Sequence, residues 1–361
     1  MNCSKTDKLF ERAEELRQKS HYRKSLALLR NALKSYVSSK SLEGVTNCQL
    51  SIGDVHRMIG DFDSAEQSYF AALTTGRKSD DKVTIADAQL NIGLSLRGKG
   101  DWRNALQMSK DALTFYRKIK DFQAVAFALW AIAGTLRIKG DITKAIATYK
   151  ESLEIFESLG MKSSTGYCLC GLGGTSRIAG LFKNSLNYYA TANTLFSGIR
   201  DKFGTAYSHC GMGNAFRMLG EYDKALTSFK RASAIYRKIG DRVSYSYTIW
   251  SVGTTYKMLG NYPKARGYFR SAQTLFRKTK DPRGLIYCRL GLGEIAIIEG
   301  KRSLAKKYIG ESAANARRYG FMVEQCHAKM LSSYFSGKLK TDCYRRLGLR
   351  LHFSEAPFNI P

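Results

Sequence analysis

Proline is nearly missing from this chain, with four in 361 residues against 32 glycines. That mixture fits many short helices joined by glycine turns and fits a strand-rich fold poorly. Long apolar runs are missing as well. No stretch approaches the roughly 18 uninterrupted apolar residues of a membrane-spanning helix, so no membrane span is expected. The start, "MNCSKTDKLFERAEE", lacks an apolar leader core, which makes Cys3 an unconvincing lipid attachment point. The eight cysteines include no C-x-x-C pair, and Cys168 and Cys170 stand too close for an ordinary zinc knuckle. Small buried thiols in a reducing compartment are expected, hence a cytoplasmic location.

Catalytic signatures are absent too. There is no H-E-x-x-H, no Walker-type phosphate loop and no G-x-S-x-G. The glycine-rich stretch "GLGGTSRIAG" (171–180) is in phase with its helical siblings and reads as a helix. Five histidines lie in different repeats or at the ends, and His56 shares the phase of Leu96, Leu136 and Phe216, a packed position. No catalytic residue, metal ligand or cofactor is assigned, and the chain is expected not to be an enzyme.

Acidic residues are the last shortage. Thirty Asp and Glu face 58 Lys and Arg, a net charge of +28 spread along the whole chain. Such a surface attracts nucleic acid, anionic membrane or acidic protein segments.

What the chain does have is a repeat. Gly60, Gly100, Gly140, Gly180, Gly220, Gly260 and Gly300 recur every 40 residues without slippage, with Ser20 in the same phase of an eighth, N-terminal copy. Five, nine and twelve places after each glycine stand mostly a small residue, an aromatic and another small residue, as in Ala65, Tyr69 and Ala72. Those spacings fall on one helix face. Seven places before each turn glycine stands another glycine, or Ala133 in one copy, preceded by an apolar residue. Glycine costs about 1 kcal/mol in a helix interior, so its recurrence points to close helix–helix contact. Asp81, Asp121, Asp201, Asp241 and Asp281 follow the second turn and suit capping of the next helix. Each repeat is therefore helix A, turn, helix B, turn.

The stretches "LSIGDVHRMIGDFDSAEQSYFAAL" (50–73) and "CGMGNAFRMLGEYDKALTSFKRAS" (210–233) resemble the tetratricopeptide repeat. The 40-residue length resembles the variants of Pins-type adaptors and kinesin light chains. The resemblance implies an all-α, right-handed α-solenoid of about eight repeats, at 5–40, 41–80, 81–120, 121–160, 161–200, 201–240, 241–280 and 281–320. A capping segment at 321–345 and an extended tail at 346–361 complete the expected organisation. The tail sequence "LRLHFSEAPFNIP", with apolar anchors and one acid, is a candidate to lie in the protein's own groove.

Three places before the turn glycines stand Arg17, Arg57, Arg97, Arg137, Arg177, Arg217 and Lys257, with Ile297 breaking the series. In the resembling family, helix A lines the concave side. Carried over, this gives a groove with a basic rim and an aromatic rim roughly 15 Å apart, ten residues at 1.5 Å each. The aromatic rim includes Trp130, Trp250, Tyr167, Tyr207 and Tyr247, and Asn214 adds a polar group. Arginine grips carboxylate or phosphate through paired hydrogen bonds. The candidate groove is thus Arg57, Arg97, Arg137, Arg177, Arg217, Lys257, Trp130, Trp250, Tyr167, Tyr207, Tyr247 and Asn214.

Purely local electrostatics could also produce such a ladder, in two ways. Arginine near a helix C-terminus complements the macrodipole, and Arg57, Arg137 and Arg217 each have an acid four places on. The expected role is a non-enzymatic scaffold binding acidic or amphipathic segments of other proteins. Single-strand nucleic-acid binding is the alternative, through phosphate contacts and stacking, and a peptide-sensing regulator is a weaker one. The partner and the oligomeric state are not set by the sequence.

Overall fold

A computed structural model describes residues 5–361; Cys3 lies outside the described residues. Helix pairs follow the 40-residue period. The first four are α1 (Lys5–Gln18) with α2 (Tyr22–Ser38), α3 (Leu42–Met58) with α4 (Phe62–Lys78), α5 (Lys82–Gly98) with α6 (Trp102–Lys118), and α7 (Phe122–Lys139) with α8 (Ile142–Ser158). The next four are α9 (Lys162–Ile178) with α10 (Phe182–Gly198), α11 (Lys202–Met218) with α12 (Tyr222–Ile239), α13 (Arg242–Met258) with α14 (Tyr262–Lys278), and α15 (Pro282–Ile298) with α16 (Arg302–Tyr319). Then come α17 (Met322–Ser333), the short α18 (Asp342–Arg346) and a non-helical segment to Pro361. No strand occurs among the described residues.

Local chemistry explains the boundaries. Asp61, Asp81, Asp121, Asp201, Asp241 and Asp281 each accept a hydrogen bond from the backbone N–H three residues on, satisfying a free donor of the following helix. The glycine seven places before the turn is where the B-helix aromatic presses in. A methyl group at Gly53, Gly173 or Gly213 would collide with the ring of Tyr69, Tyr189 or Phe229. Those three rings are almost fully buried, and burial of such a side chain contributes about 1.5–3 kcal/mol.

The odd-numbered helices also touch each other, α5 with α7, α7 with α9, α9 with α11, and so on to α17. They form the inner wall of the solenoid, and the even-numbered helices form the outer one. The solenoid coils far enough for repeats two and three to meet repeats seven and eight. Trp102 Nε1 donates to the Tyr319 carbonyl at 2.9 Å, and Lys280 Nζ sits 2.5 Å from the Asp63 carboxylate, both across 217 residues. Lys99 shares that Asp63 carboxylate at 3.1 Å. Gly100, at φ +86°, leaves no room for a side chain beside Pro282 and Phe321. Further along, Arg350 N–H donates to the Ala179 carbonyl at 2.8 Å. The inner wall therefore surrounds a cavity.

Candidate functional site

The cavity has a volume of about 560 Å³ and is lined by residues of repeats two through eight. Every groove residue expected from the sequence lines it except Arg217 and Lys257. Its chemistry follows from how four of the basic side chains, Arg17, Arg97, Arg137 and Lys257, cross to the next inner helix, 37 positions on. Arg17 reaches Asp54 at 3.4 Å, and Lys257 reaches Glu294 at 2.5 Å. Arg97 and Arg137 reach Gly134 and Gly174, where an added methyl group would strike the Nη1 atom of each.

The ladder therefore divides into paired and unpaired rungs. At the N-terminal end, Asp54 also pairs with Arg57 at 3.2 Å and accepts the Tyr69 hydroxyl at 2.7 Å. Among the described residues, the ladder's ion pairs are those of Arg17, Arg57 and Lys257. None of the expected pairs with the acid four places on forms: Asp61 lies beside His56, Asp141 beside Lys139 and Lys144, and Glu221 beside Lys224.

In the middle, Arg97 has one long hydrogen bond, to the Ala131 carbonyl at 3.4 Å, and its guanidinium lies 5.2 Å over the Trp130 ring. Arg137 Nε and both Nε and Nη1 of Arg177 are buried with no hydrogen-bond partner. Burial, with the neighbouring Arg137 and Arg57 charges adding to it, pushes the Arg97 pKa down to about 10. Arg177 is lowered by burial too, with Arg137 repelling it. Arg97, Arg137 and Arg177 are each part-buried, and withdrawing a charge from water without a counter-charge is costly.

The aromatic groups interleave with these cations, which corrects the expectation of two rims set about 15 Å apart. A guanidinium at the end of one inner helix lies over the tryptophan of the next, as Arg97 does on Trp130 and Arg217 on Trp250 at 5.9 Å. The rims merge because successive inner helices are staggered. Tyr167 and Tyr247 donate their hydroxyls to Asp201 and Asp281, both at 2.8 Å, tying each repeat to the cap of the next. Tyr207 stacks on Phe203 at 6.0 Å. Asp241 and Asp281 also line the cavity, but their carboxylates accept the Ser244 and Gly284 N–H groups. Burial pushes Asp241 up to about 6.

Arg217 and Lys257 require a second correction: neither is open to a ligand. The segment after α18 returns along the inner wall and covers both. Arg217 Nη1 donates to the side-chain oxygen of Asn359, whose amide nitrogen donates back to the Arg217 carbonyl at 2.8 Å. Lys257 Nζ donates to the Phe358 carbonyl at 2.7 Å, and the Phe358 N–H donates to Glu294. Phe358 is 1% exposed. Asn214 belongs to this end as well, since its oxygen accepts Arg217 Nη2 at 3.3 Å. Burial lowers the pKa of Lys257 and raises that of Glu294, each opposed by the other's charge.

Sequence reasoning missed Asp54, Glu294 and Arg283. A signal for the first two existed. The column six places before the turn glycines runs Asp54, Leu94, Gly134, Gly174, Asn214, Thr254, Glu294, acidic only at its ends. Arg283 has no such column; it pairs with the buried Glu324 at 2.6 Å and lies over Tyr287.

Helix pairs stacked every 40 residues around an inner wall define a repeat solenoid. The tetratricopeptide-repeat family model matches residues 84–158 and 167–238. The chain thus carries tetratricopeptide repeats over those two stretches. No curated protein matches it in sequence. Among solved structures it is similar to a Rap protein complexed with competence and sporulation factor, at 14% identity and a TM-score of 0.67, covering 95% of this chain and 96% of that one. It is similar to the Rap conjugation gene regulator of plasmid pLS20 in complex with the Phr* peptide, at 12% identity and a TM-score of 0.65, covering 87% and 95%. It is also similar to NprR in complex with its cognate peptide NprX, at 14% identity and a TM-score of 0.63, covering 96% and 98%. At these identities the likeness is one of fold.

Proposed function

We propose that this protein is a non-enzymatic scaffold whose cavity captures an acidic or amphipathic segment of a partner protein, with Arg97, Arg137 and Arg177 as the anchoring cations. The observation that carries this reading is the row of three guanidinium groups in a cavity, none of them in an ion pair among the described residues. Aromatic neighbours suit the apolar side of such a segment, and its carboxylates suit paired hydrogen bonds from arginine. The far end of the same wall already holds non-helical polypeptide, with Lys257 and Glu294 satisfying both backbone groups of Phe358. Two solved structures of similar fold hold peptides, Phr* and NprX, which is consistent with this use of the architecture.

The test is fluorescence anisotropy with labelled acidic, neutral and basic peptides of equal length, alongside a labelled oligo-thymidine. Acidic peptides should bind. The double substitution Arg137→Glu and Arg177→Glu should weaken them by about 100-fold, two charge-assisted contacts at a tenfold loss each, with helicity by circular dichroism unchanged. Peptide affinity indifferent to these substitutions would discard the reading. Oligo-thymidine bound more tightly than every peptide, and released by the same substitutions, would replace it with nucleic-acid binding.

A further inference from the structure

The coil has two edges, and they are not used equally along the chain. The first edge carries the turn inside each repeat, at Gly60, Gly100 and their equivalents; the second carries the turn between repeats, near residues 80, 120, 160 and onward. Where the coil overlaps itself, the first edge of repeats two to four seats on the turns that follow repeats six to eight. A methyl group at Gly60 would press on Val243 and Thr279, one at Gly100 on Pro282 and Phe321, and one at Gly140 on Met322 and Val323. The segment after α18 continues this seating, with Arg350 against Gly180.

Elsewhere the same surfaces are bare. On the second edge, columns 40 residues apart hold both covered and uncovered members. Thr279 is buried, while Ile119, Leu159 and Ile199 in its column are exposed. Pro282 is buried, while Leu42 and Phe122 in its column are 53% and 61% exposed. Val323 is 1% exposed and Val83 46%. On the first edge, a side chain added at Gly220, Gly260 or Gly300 would meet nothing within 4 Å, and Leu259 and Leu304 beside these turns are exposed. Scattered exposed apolar residues need no explanation, but these recur at positions that the chain buries elsewhere with its own opposite edge.

We infer that the bare second edge of repeats one to five docks on the bare first edge of repeats six to eight of a second copy, so that one copy continues the coil of the next. The occupant is a second copy because Thr279, Pro282 and Val323 each lie against a first-edge glycine of this chain, and the remaining turns of that edge are bare too. The two edges differ, so the contact is head-to-tail, and each added copy presents another free edge. This contact is independent of the peptide reading. Charge sets its salt dependence. Lys78, Lys82, Lys118, Lys120 and Lys162 stand exposed along the second edge, and Lys264 and Arg302 along the first. Their repulsion opposes stacking at low salt and is screened as the Debye length falls from about 10 Å at 0.1 M to about 3 Å at 1 M. Association should therefore strengthen with salt, the reverse of what capture of an acidic segment would show.

The experiment is sedimentation velocity on the full chain over a concentration series, in about 0.1 M and about 1 M NaCl. The mean mass should grow with concentration, and at lower concentrations in the higher salt. Phe122→Glu with Leu159→Glu disables the second edge; Leu259→Glu with Leu304→Glu disables the first. All four side chains are exposed, so helicity by circular dichroism should be unchanged. Each double variant alone should need at least about tenfold more protein to associate. An equimolar mixture of the two should form dimers and stop there, because one intact edge of each kind remains. A wild type that is monomeric throughout, double variants that associate as the wild type does, or a mixture that stays monomeric would overturn the inference. Flotation of a monomeric wild type with phosphatidylserine vesicles, lost in Phe122→Glu with Leu159→Glu, would replace the second copy with an anionic membrane.

Discussion

The two ends of the basic ladder and its middle have the same architecture and opposite electrostatics. Arg17 and Lys257 cross to the next inner helix and meet Asp54 and Glu294, so their charge is neutralised inside the chain. Arg97 and Arg137 make the same crossing and meet Gly134 and Gly174. Repetition by itself therefore does not make a binding site. The unpaired cations arise where the repeat omits the partner that it supplies elsewhere. The ends use the ladder to hold the solenoid together, and the middle carries a charge that the fold leaves uncompensated.

The comparison can be broken from either side. Making an end resemble the middle should have the largest effect. Glu294→Gln strands Lys257, which is 1% exposed, and breaking a buried pair costs about 3–5 kcal/mol. Denaturant unfolding should show that loss, and amide exchange should rise at Phe358 and Asn359. Stability unchanged within about 1 kcal/mol would mean that the end is not held by this pair.

Acid should weaken the same end through His327. Its ring is fully buried, with Nδ1 2.7 Å from the Tyr344 hydroxyl and the Tyr287 ring alongside. Burial, with Arg283 and Lys257 nearby and only Glu324 opposing, lowers its pKa to about 4. A folded-state pKa below the unfolded value favours the folded state at higher pH. That stability is complete above about pH 6.5 and is lost as the pH falls through about 4, up to about 3 kcal/mol. Thermal melts of wild type and His327→Gln across that window should diverge, with the variant the flatter. Parallel profiles would show that His327 does not set the acid response.

Making the middle resemble an end should have the smaller effect. Gly174→Asp supplies Arg137 with the kind of partner Arg17 has. Acidic-peptide affinity should drop about tenfold, since one anchoring cation is satisfied internally. The melting temperature should change little, because removing a helical glycine and pairing a cation offset the crowding of the new side chain against Arg137 Nη1 and the Tyr189 hydroxyl. Undiminished affinity would show that the unpaired state of Arg137 is irrelevant to binding.

The features legible in the sequence were those set by phase. A residue recurring every 40 positions lies in a line on the wall, so the ladder and the Trp130–Trp250 column could be read directly. The stagger between neighbouring helices was not legible, because it depends on how Tyr69 and its equivalents seat against the inner helix. That stagger decides that Arg17 meets Asp54 of the next inner helix in addition to Glu14 of its own. The meeting of Trp102 with Tyr319 was out of reach for the same kind of reason: a small rotation per repeat, summed over 217 residues, determines whether the third repeat meets the eighth. The seating of Asn359 on Arg217 involves residues that belong to no repeat, so periodicity carried no information about it.

The contacts between distant repeats have a kinetic meaning. Capture of a partner segment that required the Trp102–Tyr319 and Asp63–Lys280 contacts to part would be slowed by that opening. Association should then be limited by a rearrangement of the protein and fall below the usual rate of about 10⁵–10⁷ M⁻¹s⁻¹ for docking on an open surface. Departure has to wait for the same opening, so a captured segment should stay longer than its equilibrium affinity alone suggests.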